Sequence, residues 1–289
     1  MSGRDRGEWG WATADAPPPG ESVWEMRVDT SVAHPARRYN YWLGGKDNFA
    51  ADRESGDAIA AAFPAVRIAA IENRRFLRRA VTFLAGEAGI RQFLDIGTGI
   101  PSADNTHQVA QAIAPSSRIV YVDNDPIVLA HARALLTSSP EGATAYLDAD
   151  LRAPGKILSD PALRRILDLS QPVALMLISI LQFIMDSEDP YGIVRELAGA
   201  LPPGSYLAIS HPTYDYMPPE TIAKLDATNA ARGVVFRPRS REEFARFFPG
   251  LEQVPPGIQP VTGWRAEDEE QPRPSAAETA VYGAIARIP

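Results

Sequence analysis

The sequence FLDIGTG, at residues 93–99, decides the fold that we predict for this chain. A short apolar run that ends in two closely spaced glycines is typical of a β-strand that turns into a helix. Glycines at such a turn let the backbone approach a ligand, and open parallel sheets bind ligands beyond the carboxyl ends of their strands. We therefore predict a strand at 92–96 and a helix at 103–114. The ligand-binding turn between them consists of Gly97, Thr98 and Gly99.

Strands and helices alternate through the middle of the chain. Four further apolar runs predict strands, and the segments between them predict helices: strands at 118–122, 144–147, 173–179 and 205–210, and helices at 126–136, 161–169 and 190–201. Because parallel strands need crossover helices, this order indicates a doubly wound α/β fold with a parallel sheet. The run VALMLIS at 173–179 is apolar without alternation, which favours a central strand covered on both faces.

The pattern continues beyond the fifth strand. It predicts two more helices, at 219–231 and 241–248, and two more strands, at 259–264 and 279–288. Between the last two strands lies the acidic stretch RAEDEEQPRPSAAE, which we expect to be a solvated loop.

The chain divides into three predicted regions. Residues 1–33 are rich in glycine, proline and charge and predict a mobile tail, although three tryptophans in it could dock onto the body. Residues 34–85 predict a helical lid, with helices at 57–63 and 66–84 and a polar, aromatic segment that is broken at Gly44-Gly45. Residues 86–289 predict the ligand-binding core. We expect the lid to cover the pocket at the carboxyl ends of the strands.

Composition excludes several classes of function. A net charge of −7 argues against a protein that binds duplex nucleic acid. The absence of cysteine excludes disulfides, thiolate metal sites and a cysteine nucleophile. Four histidines show no metal-ligand spacing, so we predict no metal. No signal peptide is evident, and the apolar run at 173–185 is too short to cross a bilayer. These features predict a soluble, cytoplasmic protein.

The acidic residue within FLDIGTG indicates the charge of the cofactor. A dinucleotide enzyme presents a helix N-terminus to a pyrophosphate, and Asp95 beside that turn would oppose its binding. The third glycine of the dinucleotide pattern is also missing, because Ser102 occupies its place. A cofactor that carries an ammonium and a sulfonium group, and no phosphate, is favoured instead.

Acidic residues also follow the next two strands. Asp123, with Asn124 beside it, is placed to accept hydrogen bonds from both hydroxyls of a ribose. Asp150 could accept from an adenine amino group while the backbone N–H of Leu151 donates to the ring. Asp125 is better explained as a helix cap, and Asp148 as a solvated loop carboxylate. Ser179, at the end of the fourth strand, completes the set of candidate cofactor contacts.

Together these motifs resemble those of class I S-adenosylmethionine-dependent methyltransferases. The sequence is more specifically similar to the actinobacterial DUF574 family, and five segments carry the likeness: residues 36–53, 93–107, 121–136, 148–152 and 206–215. The resemblance implies a Rossmann-like sheet of seven strands, the last antiparallel, and S-adenosylmethionine as the cofactor. One departure is visible: Gln182, in Leu-Gln-Phe at 181–183, stands where the family pattern leads us to expect histidine.

The resemblance implies methyl transfer, and we expect a small molecule as the acceptor. Candidate residues that orient the acceptor are Tyr41 and Asp47 in the lid, with Tyr39 beside them, and His211 on the rim at the end of the fifth strand. Two alternatives remain at this point: a protein that binds the cofactor without transferring methyl groups, and a nicotinamide-dependent oxidoreductase.

Several other polar residues have a structural alternative. Asn73 and Arg74 could reach the cofactor carboxylate, although an exposed helix face is the commoner explanation for an arginine cluster. His107 and His131 lie on predicted crossover helices and are expected to be structural or exposed.

Overall fold

A computed structural model of the chain describes residues 29–128 and 138–289. The three tryptophans of the predicted tail, the helix predicted at 126–136 beyond residue 128, and His131 lie outside the described residues. The last part of the tail borders the main cavity of the protein through Ser31, Val32 and Ala33.

An eight-stranded sheet forms the centre of the molecule, and its strand order confirms the predicted doubly wound fold. The order is β3-β2-β1-β4-β5-β8-β6, and β7 pairs with β8. Strands β1 to β5 run parallel, whereas β8 is antiparallel to β5. The strands are β1 (Gln92–Ile96), β2 (Arg118–Asp123), β3 (Ala143–Asp148), β4 (Ala174–Ile178), β5 (Tyr206–Pro212), β6 (Glu252–Gln253), β7 (Gln259–Pro260) and β8 (Val281–Arg287).

Helices cover both faces of this sheet, and three of them form the segment that we predicted to be a lid and call the lid below. The lid contains α1 (Pro35–Trp42), α2 (Ala50–Ala62) and α3 (Val66–Thr82), which a π-helical turn extends to Glu87. The remaining helices are α4 (Thr106–Ile113), α5 (Pro154–Ser159), α6 (Pro161–Ile166), α7 (Pro190–Gly199), α8 (Pro219–Ala231), α9 (Arg241–Ala245) and α10 (Ala276–Thr279). No described helix is long and apolar enough to cross a membrane.

Among the described residues, the sequence analysis missed three helices and extended one strand too far. Helix α10 lies at the end of the stretch that was predicted to be a loop. Helix α1 has no apolar period, because its buried residues are polar: Arg37, Arg38 and Asn40. Helix α5 is only one and a half turns long and gives little periodic signal. The strand predicted at 259–264 ends at Pro260, since the chain turns there and the Gly263 N–H donates to the Pro260 carbonyl at 2.8 Å.

The first lid helix ends in a loop that one buried side chain organises. The Asn40 Oδ1 accepts from the backbone N–H of Asp47 at 3.1 Å and from Asn48 Nδ2 at 3.0 Å. A Cβ at Gly45 would lie 2.2 Å from the Asn40 amide, and Gly44 has a φ of +80°. The Gly-Gly pair therefore lets the chain fold tightly around Asn40.

The third lid helix packs against the sheet. The ring of Phe76 lies so close to β8 that a Cβ at Gly283 would meet it at 2.6 Å. The indole of Trp264 meets the Phe76 ring edge-on, with 5.4 Å between ring centroids. Neither Phe76 nor Trp264 is exposed to solvent. This close packing makes the lid continuous with one of the two hydrophobic layers that flank the sheet.

Part of the acidic stretch at 265–278 docks on the lid, which corrects the expectation of a solvated loop. Glu269 lies 2.5 Å from the guanidinium of Arg79, and Arg273 pairs with the fully buried Glu72. Both basic and acidic groups of the stretch are thereby used to hold α3. The sequence of this acidic stretch gives no sign of which charged residue will find a buried partner.

A buried carboxylate, that of Asp52 on α2, joins the first two lid helices. It accepts from the backbone N–H of His34 at 2.8 Å and of Phe49 at 2.9 Å, and Arg37 lies 3.7 Å away. Arg37 and His34 reach Asp125 after β2, at 3.3 and 2.9 Å. These contacts connect the lid to the carboxyl edge of the sheet.

We predict that Asp52→Ala destabilises the protein by about 3 kcal/mol, because it leaves two buried backbone N–H groups without their acceptor and removes one of the two carboxylates beside Arg37. Urea unfolding measures the change. The matched control is Asp57→Ala on the same helix, whose exposed pair with Arg67 is worth about 1 kcal/mol or less. Equal losses in the two variants would contradict the anchoring role of Asp52.

Candidate functional site

A cavity of about 770 Å³ lies between the lid and the carboxyl ends of strands β1 to β5. Every predicted cofactor residue borders it: Asp95, Gly97, Thr98, Gly99, Asp123, Asn124, Asp150, Leu151 and Ser179. The lid and helix α8 with the loop that follows it form the opposite wall. The sheet thus brings residues from four strand ends to a single pocket, as the parallel arrangement requires.

The turn after β1 depends on its glycines. Gly97 has a φ of +74° and Gly99 a φ of +68°, in the left-handed region that other residues avoid. A Cβ at Gly97 would also lie 2.4 Å from the Ile180 side chain, whereas a Cβ at Gly99 would meet no atom within 4 Å. Gly97 therefore permits close packing of the protein on itself, and Gly99 leaves open space beside the cavity.

Asp95 is a buried carboxyl group at the end of β1. Its Oδ2 accepts a hydrogen bond from the Thr106 hydroxyl at 2.6 Å. Burial raises the pKa of Asp95 to about 6, and the hydrogen bond from Thr106 and the charge of Arg74 oppose that rise only in part. A cation in the cavity would stabilise the ionised form, so this wall favours a positively charged ligand.

Asp123 holds the same turn from the neighbouring strand. Its Oδ2 accepts from the Gly99 N–H at 2.9 Å, and its Oδ1 accepts from the Asp125 N–H at 2.9 Å. Burial raises the pKa of Asp123, and these two hydrogen bonds oppose the shift. Because a carboxylate can accept about four hydrogen bonds, each oxygen keeps capacity for a further donor.

Asp150 is more solvated than the other two acids. It accepts from the Arg152 backbone N–H at 2.8 Å and pairs with the Arg152 guanidinium at 3.3 Å. The Asn124 amide lies 3.4 Å from it, which links the ends of β2 and β3. Leu151 is buried beside it.

The end of β4 contains the one departure from the family pattern. Ser179 adopts a left-handed conformation with a φ of +55°. The Gln182 Nε2 donates to the Ser179 carbonyl at 2.7 Å and approaches its hydroxyl at 2.9 Å. Among the residues described, no group hydrogen-bonds the buried Gln182 Oε1. Both residues border the cavity, so Gln182 presents an amide where we expected an imidazole.

The lid supplies a hydrogen-bonded wall on which Asn73 is central. The Asn73 Nδ2 donates to the Tyr39 hydroxyl at 2.9 Å, and the Ser210 hydroxyl donates to the Asn73 Oδ1 at 2.5 Å. The Tyr39 hydroxyl in turn donates to the Ala70 carbonyl at 2.9 Å. Asn73 is buried and borders the cavity, which corrects its interpretation as part of an exposed face.

Arg74 also points to the cavity and not only to solvent. Its Nη2 donates to the carbonyls of Ala103 and Asp104, at 2.8 and 2.9 Å, in the loop that follows the glycine turn. Its Nε is buried without a hydrogen-bond partner among the described residues. Arg74 is therefore placed beside the predicted cofactor residues.

The prediction that His211 lies on the rim of the site is wrong. The imidazole ring is fully buried against Phe244 of α9, with 6.2 Å between the ring centroids, and against the nearby Phe247. It does not border the cavity. Burial, assisted by the charge of Arg239, lowers the pKa of His211 to about 3. His211 is a neutral packing residue because α9 covers the strand end on which it lies.

Of the three lid residues predicted to orient the acceptor, Tyr39 borders the cavity, whereas Tyr41 and Asp47 do not. The Tyr41 hydroxyl donates to the exposed Asp57 at 2.8 Å, on the outer side of the lid. Asp47 lies in the loop around Asn40, to which its backbone N–H donates. His107, by contrast, is structural as expected, since its Nδ1 lies 2.8 Å from the buried Tyr121 hydroxyl.

Sequence reasoning missed the polar groups that the lid turns inward. Arg38 and Ser55 are both buried and border the cavity from α1 and α2. The only signal was a pair of arginines in an otherwise aromatic segment. The described residues contain no group of three or more acidic or histidine side chains that could hold a metal ion.

The strand order, the antiparallel β8 and the acidic glycine turn define a class I S-adenosylmethionine-dependent methyltransferase. The profile of the S-adenosyl methyltransferase family matches residues 22–289, and the chain belongs to this family. Its cofactor is S-adenosylmethionine.

Two solved structures are similar over nearly the whole chain. A DUF574 family protein from Streptomyces avermitilis MA-4680 is 48% identical, with 91% of this chain and 100% of that chain covered and a TM-score of 0.85. A candidate methyltransferase from Thermobifida fusca YX is 41% identical, with 92% and 99% covered and a TM-score of 0.80. These matches confirm the DUF574 resemblance. No curated protein matches the sequence significantly.

We predict that Gly97→Ala costs at least about 1 kcal/mol more stability than Gly99→Ala. Both changes force alanine into a left-handed conformation, at about 1–2 kcal/mol, but only the first adds a clash with Ile180. The difference between the unfolding free energies of the two variants in urea measures the cost of the clash with Ile180. Adding Ile180→Ala to Gly97→Ala should restore part of the lost stability. Equal stability of the two single variants would show that the turn is not packed as described.

Proposed function

We propose that this methyltransferase acts on a small-molecule acceptor bound between the strand ends and the lid. The observation that carries the proposal is that one cavity is bordered both by all the predicted cofactor residues and by the inner faces of α1, α2 and α3. Its volume of about 770 Å³ lies in the range of ordinary small-molecule sites.

The acidic wall fits S-adenosylmethionine. Buried Asp95 and Asp123 are disfavoured as anions by their surroundings and gain from a nearby cation. We assign Asp123 to the ribose hydroxyls, Asp150 and the Leu151 N–H to the adenine, and Asp95 to the cationic end of the cofactor. Gly97, Thr98 and Gly99 permit its close approach, and Asn124 and Ser179 flank it.

Arg74 is the proposed partner of the cofactor carboxylate. Its guanidinium is fixed by the carbonyls of residues 103 and 104, next to the glycine turn, and its Nε still lacks an acceptor among the described residues. A basic group here complements the acids that face the positive end of the same molecule.

The lid contributes alignment and exclusion of water. When bound, the cofactor would supply a methyl group on a positively charged sulfur: an acceptor nucleophile would bond to the methyl carbon as the carbon–sulfur bond breaks, with S-adenosylhomocysteine as the leaving group. Such reactions depend on holding the two partners in line in a dry site. The Tyr39–Asn73–Ser210 network keeps the inner wall of α1 fixed against the sheet. His34, paired with Asp125, closes the side nearest Asp123.

We predict that Asp123→Ala weakens binding of S-adenosylhomocysteine by roughly tenfold to several hundredfold. Each hydrogen bond to a charged acceptor is worth about 1.5–3 kcal/mol, and 1.4 kcal/mol is a factor of ten. Calorimetry measures the dissociation constant. Asp123→Asn should lose less, since its amide oxygen can still accept from the Gly99 N–H.

Asp148→Ala is the matched control. Asp148 of β3 lies opposite Asp123 of β2 in the register of the two strands, but it does not border the cavity. Its dissociation constant should stay within about threefold of the wild type. An unchanged dissociation constant in Asp123→Ala, or the same loss of affinity in both variants, would contradict the assignment of Asp123 to the ribose hydroxyls.

A further inference from the structure

The lid side of the cavity contains a buried cation, Arg38. Its residue is only 4% exposed, and it borders the cavity from α1. Its Nη1 donates to the Ser55 hydroxyl at 3.1 Å, and its Nε has no acceptor among the described residues. A guanidinium has five N–H groups in a planar fork, and among the described residues Ser55 is the hydrogen-bond acceptor of Arg38.

No carboxylate in the described residues neutralises Arg38 directly. The acid whose charge acts on Arg38 is Asp52, which accepts from two backbone N–H groups and lies 3.7 Å from Arg37, so it is already engaged. Burial lowers the pKa of Arg38 to about 10, and Asp52 offsets this only in part. The group remains charged at neutral pH, and a buried charge without a partner is costly.

The surroundings of Arg38 in the cavity are largely apolar and aromatic. Trp42, Ile59, Phe63, Leu225 and Phe236 border the cavity from the lid, from α8 and from the loop after α8. The acids that suit the positively charged cofactor lie on the opposite wall, at the strand ends. The lid side also contributes the exposed Glu54, and the residue after α8 is Arg232, but among the described residues no ion pair joins Arg38 to an acid. The cavity therefore has buried acids at the strand ends and, on the lid side, a buried cation among mainly apolar and aromatic groups.

We infer that the acceptor is a small carboxylate with a flat apolar body, and that Arg38 binds its carboxylate as a planar fork. This inference rests on the proposed function, since it names the class of acceptor for the same cavity. Arginine pairs with carboxylates through two parallel hydrogen bonds, which orients a ligand as well as holding it. The aromatic wall accommodates the rest of the molecule.

The cofactor also has a carboxylate, which is the competing occupant for Arg38. Arg74 is better placed for it, because Arg74 is fixed beside the glycine turn and its charge acts on the pKa of Asp95. Arg38 is instead fixed to Ser55 on α2. If Arg38 binds the cofactor carboxylate, removing its guanidinium weakens cofactor binding. If Arg38 binds the acceptor carboxylate, cofactor binding is unchanged.

The experiment compares carboxylates with their uncharged amides. Protein saturated with S-adenosylhomocysteine is titrated with benzoate and benzamide, cinnamate and cinnamamide, and 2-naphthoate and 2-naphthamide, with binding followed by ligand-observed NMR. At least one carboxylate should bind tenfold or more tightly than its amide. Arg38→Met should abolish that preference and leave the affinity for S-adenosylhomocysteine within about threefold, and Arg38→Lys should keep part of it.

Arg53→Met is the matched control, since Arg53 is an exposed arginine of the same lid that donates to Asn48 and does not border the cavity. It should keep the full preference. If Arg38→Met does not fold, the ¹⁵N–¹H signal of the Arg38 Nε in the wild type, assigned from its absence in Arg38→Lys, should shift on adding the carboxylate and not the amide.

Three results would overturn the inference: no preference in any of the pairs, a preference that survives Arg38→Met, or an Nε signal that does not move. A tenfold loss of S-adenosylhomocysteine affinity in folded Arg38→Met would overturn it too, by assigning Arg38 to the cofactor. Should wild-type protein not bind S-adenosylhomocysteine at all, the proposed function fails, and the same titration of the protein alone still decides the role of Arg38.

Discussion

Two carboxyl groups, those of Asp95 and Asp123, are held away from water at the ends of neighbouring parallel strands. In an apolar sheet edge these groups are a cost to folding, because burial disfavours their charged forms. Both groups have a hydrogen-bond donor near the glycine turn. The Asp123 carboxylate accepts from the Gly99 N–H, and the Asp95 carboxylate accepts from the Thr106 hydroxyl. A cation bound in the adjacent cavity would stabilise the ionised forms of these two groups. S-adenosylmethionine is positively charged at its sulfonium and ammonium groups.

The lid depends on the same principle of buried acids with fixed partners. Asp52 ties α1 to α2, and Asp125 ties both His34 and Arg37 to the strand edge. Because of these contacts, helices that precede the core in sequence form one wall of its pocket. They also explain why α1 is polar where it is buried: its inner side faces carboxylates and a ligand cavity, and not a hydrophobic core.

The core could be predicted from the sequence because its signals are local. Each parallel strand is a short apolar run, and each of β1 to β5 begins and ends within two residues of the prediction. The acids and glycines after these runs meet in a single pocket because parallel strands end at the same edge. All nine candidate cofactor residues border the cavity for that reason.

The lid side could not be predicted in the same way, because its geometry depends on tertiary contacts. His211 follows an apolar strand like the other candidates, but α9 covers that strand end and buries the ring. Tyr41 and Asp47 belong to the right segment but lie on its outer side, whereas Arg38 and Tyr39 lie on its inner side. Which side of α1 faces inward is set by Asp52 and Asp125, which are distant in sequence.

We propose that the acidic edge of this sheet binds S-adenosylmethionine. A calorimetric titration of the wild-type protein at neutral pH with S-adenosylmethionine, S-adenosylhomocysteine and NAD tests this assignment. We expect one binding site per chain for each of the first two ligands and no detectable heat of binding for NAD. Binding of NAD without binding of either sulfur-containing ligand would contradict it.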